Sequence, residues 1–197
     1  MDKKMLKRLC SCLIGCTLGA GLAAQPIGMQ IDASRATCDI GKRHYGLFFE
    51  EINHAGDGGL YAELIHNRSF EDNVNNPDHW WTVGTGKMTL TSENLMNSVQ
   101  GKALTVQFNA AGDGVKNEGF WGINMVNGRV YTCNFWVLSP SWSGTLTTAL
   151  LNSEGAEIGK ATVEVTASDK WTKYSTQITA TGDDTKGWFS LTGSSAG

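Results

Sequence analysis

The stretch RVYTCNFWVL, residues 129–138, alternates large apolar residues with polar ones along most of its length. Successive side chains of a β-strand point to opposite faces, so this period of two predicts a strand with one buried face. The predicted core face carries Tyr131, Cys133, Phe135 and Val137, and the opposite face carries Thr132, Asn134 and Trp136. Because polar residues flank Trp136 on that outer face, its ring is a candidate platform for stacking on a sugar.

Runs typical of β-strands lie on both sides of this stretch at short intervals. They cover residues 87–91, 103–109, 119–124, 144–152, 161–166, 171–179 and 188–192. The pair Asn127-Gly128 is typical of a tight hairpin turn. Many short strands separated by turn residues predict a mostly β fold, a jelly-roll β-sandwich over residues 72–197. The chain stops at residue 197 without a closing apolar strand, so this sandwich is expected to lack its last strand.

The composition of the 197 residues limits the kinds of function that are possible. The hydrophobic share of 41% is enough for a buried core, and 24 glycines with 7 tryptophans favour turns and short strands over helices. The net charge is −3 and no basic stripe is present, which argues against nucleic acid as a partner.

The first 24 residues are typical of a signal peptide. Four cationic residues (Lys3, Lys4, Lys7 and Arg8) precede an apolar run over residues 9–22. That run is too short for a transmembrane helix, and Ala23-Ala24 offers a cleavage point, which predicts a secreted or periplasmic protein. An alternative is lipid anchoring through Cys16, which follows Leu13-Ile14-Gly15. The mature chain retains Cys38 and Cys133, interpreted as two buried free thiols rather than a disulfide.

Residues 25–71 predict one strand followed by a single β/α unit. Residues 27–40 alternate loosely, residues 45–53 form an apolar run that turns polar at its end, and residues 60–65 are compatible with a short helix. Glu50 and Glu51 are consecutive, so on a strand their carboxylates diverge and cannot form a retaining glycosidase pair about 5 Å apart. Glu50, at the strand end, is the candidate ligand-binding carboxylate, the alternative being a structural role in holding the following glycine loop.

The histidines provide one candidate binding residue and no predicted metal ligand. His54 follows the predicted strand end, where it lines the same mouth as Glu50 or simply hydrogen-bonds locally. His44, His66 and His79 have no acidic or cysteine partner at ligand spacing in the sequence, so neither a metal site nor a cofactor is predicted.

Two parts of the chain resemble a known enzyme family. The run GLFFEEINHAGDGGLYAELIHNRSFE, residues 46–71, resembles the opening barrel segment of family-51 glycoside hydrolases, the α-L-arabinofuranosidases, in their plant and gut-bacterial branch. The stretches GFWGINMVNGRVY, residues 119–131, and WTKY, residues 171–174, resemble the inserted module of that branch, which is similar to carbohydrate-binding modules of families 4 and 9.

This resemblance implies the N-terminal part of a retaining, exo-acting α-L-arabinofuranosidase that removes arabinofuranose from hemicellulose or pectin side chains. Residues 25–71 would then begin a (β/α)8 barrel, with Glu50 hydrogen-bonding the sugar. The family's acid/base and nucleophile would lie beyond residue 197, so no catalytic residue is assigned and this chain alone is expected to be inactive. The alternative is a non-catalytic polysaccharide-binding module.

Overall fold

The computed structural model describes residues 29–32, 34–35, 41, 46 and 48–197, and the fold below is that of the unit Phe49–Gly197. Its ten strands are β1 (Trp80–Val83), β2 (Lys87–Thr91), β3 (Ala103–Gln107), β4 (Gly114–Asn117), β5 (Ile123–Met125), β6 (Val130–Ser139), β7 (Gly144–Leu151), β8 (Glu157–Val165), β9 (Ser168–Thr179) and β10 (Asp184–Gly193). The described residues contain no helix, and so none that could cross a membrane.

The strands form one large sheet and two antiparallel pairs. The large sheet has the order β1-β4-β10-β7-β8, with β5 also paired to β10, and the two pairs are β2-β3 and β6-β9. The last strand, β10, is central in the large sheet, since it pairs with β7 on one side and with β4 and β5 on the other. The predicted β-sandwich is thus confirmed for the described residues 80–193.

The hydrophobic core lies between the large sheet and the β6-β9 pair. Leu150 of β7, Phe189 of β10 and Ile178 of β9 are buried against one another. The exposure of β6 alternates as its sequence predicts: Tyr131 and Cys133 pack on this cluster, while Phe135 and Val137 pack on a second cluster around Phe108, Leu146 and Val165. Cys133 is a free, half-buried thiol. Its expected counterpart Cys38 lies outside the described residues, as does the predicted signal peptide with Cys16.

A single loop interrupts what would otherwise be one long strand along β10. Asn117 of β4 pairs with Phe189, and Ile123 of β5 pairs with Gly187, so β4 and β5 follow the same edge of β10 in succession. The five residues between them leave the sheet. Trp121 and Gly122 have φ of 65° and 97°, values that continuous strand pairing does not allow. The predicted strand over residues 119–124 is therefore wrong in its first part.

The hairpin predicted at Asn127-Gly128 is also wrong, although the turn itself exists. The Arg129 amide donates to the Val126 carbonyl at 3.0 Å, which closes a turn. The flanking strands do not pair with each other, because β5 pairs with β10 and β6 pairs with β9. The turn connects the two layers of the sandwich.

The predicted β/α unit is not found in the described part of residues 45–71. Residues 48–65 hold no helix and no strand, only turns and an isolated bridge between Asp57 and Tyr61. A barrel strand and its helix are stabilised by burial against neighbouring units. Here the apolar side chains remain exposed, with Leu60 at 80%. Residues 29–32 of the predicted first strand also have no strand pairing, and most of that stretch lies outside the described residues.

Candidate functional site

The loop between β4 and β5 forms one wall of a cleft of about 440 Å³. Residues from five other parts of the chain complete it. The lining consists of His54, His66, His79, Glu118, Gly119, Phe120, Trp121, Gly122, Ser153, Lys186 and Trp188. Ring faces and charged groups therefore meet in one concavity, which is the usual composition of a small-ligand site.

Asn117, the last residue of β4, holds the base of this cleft together. Its side chain is fully buried, and its amide nitrogen donates to the carbonyls of His66 and His79, each at 2.9 Å. Its Oδ1 accepts from the amides of Gly119, at 2.9 Å, and His66, at 3.2 Å. One amide side chain thus fixes the interrupting loop to two histidine-bearing segments.

Three histidine rings and Phe120 pack against one another at the cleft. His66 stacks on His79, with ring centroids 3.6 Å apart and planes 11° apart, and on Phe120 at 4.4 Å. His54 meets His66 edge-on at 5.2 Å. Burial lowers the pKa of His66, and the neighbouring His79 ring lowers it further, despite the opposing effect of the Asp72 carboxylate. The His66 ring is therefore neutral at pH 7.

Two carboxylates accompany this stack, contrary to the sequence-based expectation. Asp72 Oδ2 lies 3.5 Å from His66 Nε2, and Glu118 Oε1 lies 2.8 Å from His79 Nδ1. Asp72 is six residues from His66 and follows an irregular turn, while Glu118 is 39 residues from His79 in the chain. Neither spacing matches a recognised ligand motif, and only the fold brings these groups together.

Trp121 and Trp188 form the aromatic wall of the cleft. Trp121 is 62% exposed. Its carbonyl accepts a hydrogen bond from Lys186 Nζ at 2.8 Å, which ties the loop to β10. The Trp188 ring meets Trp81 edge-on at 5.2 Å and lies 4.5 Å from Lys116 Nζ. One ring is thus presented to solvent, and the other is held by neighbours.

Comparison with known families identifies the family to which most of this chain belongs. A model of the CBM4/9 carbohydrate binding domain matches residues 62–197. The chain belongs to this carbohydrate binding domain family. The binding domain thus includes the β-sandwich, the cleft-forming loop and the segment that carries His66 and Asp72.

Several curated proteins are similar to this chain over most of its length. A probable α-L-arabinofuranosidase A of Aspergillus terreus is 34% identical over 142 residues, covering 70% of this chain and 22% of the relative. An extracellular exo-α-L-arabinofuranosidase of Streptomyces chartreusis is 35% identical over 164 residues, covering 80% and 19%. The α-L-arabinofuranosidase 1 of Arabidopsis thaliana is 31% identical over 183 residues, covering 84% and 27%. This chain spans about a fifth to a quarter of their length.

A solved structure gives the same relationship. The arabinose-bound GH51 α-L-arabinofuranosidase superposes with a TM-score of 0.71 at 30% identity, covering 76% of this chain and 26% of the other. Both comparisons relate the carbohydrate binding domain to larger sugar-cleaving enzymes.

The three residues predicted to bind sugar do not converge on one site. His54 lines the cleft. Glu50 is exposed and is not among the lining residues. The role of holding the glycine loop belongs to its neighbour Glu51, whose Oε2 accepts from the Gly56 amide at 2.7 Å.

Trp136 lies on the outer face of β6, as predicted, and is 47% exposed. It pairs with Lys173 of β9, and the same face continues through Asn134 opposite Ser175 and Thr132 opposite Gln177. This flat surface of one indole and several hydrogen-bonding groups is separate from the cleft lining. The sequence does not identify Trp121 as a binding residue, because the loop that exposes it interrupts a run that resembles a strand.

Proposed function

We propose that the cleft beside the β4-β5 loop binds a polysaccharide chain, with Trp121 as its stacking platform. The main support is that the Trp121 side chain is exposed while its backbone is held in place. Trp121 has a positive φ, and its carbonyl accepts a hydrogen bond from Lys186 Nζ. A bulky residue in that backbone region is unusual, and such residues concentrate at functional sites. A ring held in place before binding loses little entropy on meeting a sugar face.

The polar groups of the cleft suit sugar hydroxyls. Glu118 supplies acceptors, Lys186 supplies donors, and the imidazole rings of His79 and His54 supply further polar nitrogens. A volume of about 440 Å³ lies within the usual range for small-ligand sites. Arabinose-containing polysaccharide is the proposed ligand class, since the similar proteins are named α-L-arabinofuranosidases.

The outer face of β6 and β9 is a second candidate for the same function. Trp136 stands beside a ladder of hydroxyl, amide and ammonium groups, an arrangement that suits an extended chain lying across the strands. The two sites differ in shape, one being concave and the other flat, so they are separable by mutation.

The wider proposal is that this domain serves a retaining, exo-acting α-L-arabinofuranosidase exported from the cytoplasm. This proposal is supported by the similarity to proteins named α-L-arabinofuranosidases, one of which is called extracellular. The chain spans about a fifth of the length of these relatives. The exposed apolar side chains of Phe49, Ile52 and Leu60 also suit a surface that a catalytic domain would cover. Glu50 would contact arabinofuranose there, and the catalytic carboxylates would come from outside this chain.

The binding proposal is tested by affinity electrophoresis and calorimetry of the 197-residue chain with arabinoxylan and arabinan. We expect Trp121→Ala to weaken binding by about 10-fold, equivalent to the stacking energy of one ring. Trp136→Ala is the matched control. A larger loss of affinity in Trp136→Ala than in Trp121→Ala would mean that the polysaccharide binds on the β6-β9 face instead. Undiminished binding in the double variant would reject both sites.

The enzyme proposal is tested by arabinose release from p-nitrophenyl α-L-arabinofuranoside. The 197-residue chain is expected to release none. The natural gene read to its stop codon is expected to be active, with Glu50→Gln strongly impaired and Glu154→Gln, at an exposed turn, unaffected. Activity of the short chain, or full activity of Glu50→Gln, would contradict this assignment.

A further inference from the structure

Three side chains beside the cleft present metal-ligating atoms to one another. His66, Asp72 and His79 each offer one ligand atom, and these atoms all lie within 4.8 Å of one another. Ligands around a tetrahedral Zn²⁺ ion lie about 3.4 Å apart, given bond lengths near 2.1 Å. The His66–Asp72 separation of 3.5 Å already matches that spacing.

The backbone that carries these groups is fixed by buried hydrogen bonds. Asn67 is buried, its Oδ1 accepts from the Asp72 amide at 3.2 Å, and its Nδ2 donates to the Asp78 carbonyl at 2.8 Å. Asn117 holds the carbonyls of both histidines. His79 also has φ of 69°, a conformation that non-glycine residues rarely adopt. The three ligands are thus presented by a constrained backbone.

Glu118 provides the outer support that a metal-binding histidine usually has. Its Oε1 accepts from His79 Nδ1 at 2.8 Å when that nitrogen carries the proton. The other ring nitrogen, Nε2, then has a free lone pair with which to bind a metal ion. Asp72 and Glu118 together supply two negative charges, which balance a divalent cation. Arg68 does not neutralise them, since its Nη1 lies 2.9 Å from both carboxylate oxygens of Asp57.

The geometry points to a divalent transition-metal site, with Zn²⁺ bound by His66, Asp72 and His79 and with Glu118 orienting His79. Two imidazoles and one carboxylate are typical borderline donors for this ion, and water completes the fourth position. A metal lies in the plane of each ring that binds it, so the rings leave their parallel stack on binding. The ion then cross-links three residues of the segment 66–79, and the His79–Glu118 hydrogen bond connects that segment to the loop that begins at Glu118.

The test uses the 197-residue chain purified without a polyhistidine tag and treated with a chelator. Zn²⁺ is added while binding is followed by competition with a chromophoric chelator, and the histidine ring protons are followed by NMR. We expect the His66 and His79 signals to shift together as the stack opens. We also expect His66→Gln and Asp72→Asn to lower the affinity by at least about 10-fold, and Glu118→Gln by about 10- to 100-fold.

His54→Gln is the matched control, because His54 touches His66 but is not one of the three ligands. The outcome is decided by comparing the variants and not by the number of Zn²⁺ ions bound, since the chain also contains 5 cysteines, a residue type that ligates Zn²⁺ in other proteins. Asp72→Asn removes an exposed carboxylate and preserves the fold, which circular dichroism without metal verifies. Equal affinity of Asp72→Asn, His66→Gln and His54→Gln, or unshifted His66 and His79 signals, would overturn the site.

Discussion

The carboxylate of Asp113 organises the turns at the start of β4, the opposite end of that strand from the cleft-forming loop. Its Oδ1 accepts from the Thr85 amide at 2.7 Å, and its Oδ2 accepts from the amides of Asn109 and Ala110 and from the Thr85 hydroxyl. Hydrogen bonds from the backbone of Thr85, and then of Asn109, hold the pKa of Asp113 below its ordinary value, against the opposing effect of burial. The folded state therefore prefers the ionised form.

We expect Asp113→Asn to lower the thermal midpoint by several degrees, because an amide replaces one acceptor oxygen with a donor that faces backbone N–H groups. The stabilisation by a carboxylate of lowered pKa is present above the unfolded value near 3.9 and is lost as the pH falls through the folded value. The difference between wild type and variant should therefore narrow below about pH 4. Asp169→Asn, on the exposed face of β9, is the control. A difference independent of pH would contradict this account.

At the scale of elements, Asn117 decides whether the loop after β4 has a defined shape. Replacement of this buried residue by Ala leaves two carbonyls and two amides without their hydrogen-bond partner. Each of these groups that water does not reach destabilises the fold by about 1–3 kcal/mol. We expect Asn117→Ala to reduce the free energy of urea unfolding by about 2–4 kcal/mol. Asn124→Ala, at an exposed position of β5, should change it by less than about 0.5 kcal/mol. Similar values for the two variants would reject the role given to Asn117.

Elements with a strong alternating pattern could be predicted from sequence, and elements defined by tertiary pairing could not. The face of β6 that carries Tyr131 and Cys133 was predicted because burial and periodicity agree there. The strands β1 and β4 were missed, since WWTV and GVKN are short and owe their extended form to pairing with neighbours. Asn127-Gly128 indicates a turn but carries no information on which strands pair.

At the scale of the whole molecule, the cleft could not be predicted because long-range contacts assemble it. His79 and Glu118 are 39 residues apart, and Trp121 and Lys186 are 65 apart. Local pattern offers single residues such as His54 and Trp136 only as candidates. The concave surface that contains His54 depends on the loop that interrupts β4 and β5, which local sequence presents as strand. The flat surface that contains Trp136 depends on the pairing of β6 with β9.

Cys133 reports on the integrity of the whole sandwich, since it contacts the core from β6. Burial raises the pKa of its thiol to about 11, and the charge of Glu63 adds to that effect. Because the thiolate is the reactive form, we expect alkylation of Cys133 near pH 8 to be slowed about 100-fold or more relative to the unfolded chain, whose thiol pKa is near 8.5. Site-specific rates come from mass spectrometry of the Cys133 peptide.

The urea dependence of that rate distinguishes global opening from local opening. If the two layers separate only on global unfolding, the Cys133 rate rises with the same midpoint and slope as the loss of tryptophan fluorescence. A weaker urea dependence would mean that β6 and β9 detach before the large sheet unfolds. Such partial opening would expose the face of β6 that carries Tyr131 and Phe135. The Trp136 surface would then be lost at a lower free energy of unfolding than the cleft. The sandwich would then consist of two cooperative units instead of one.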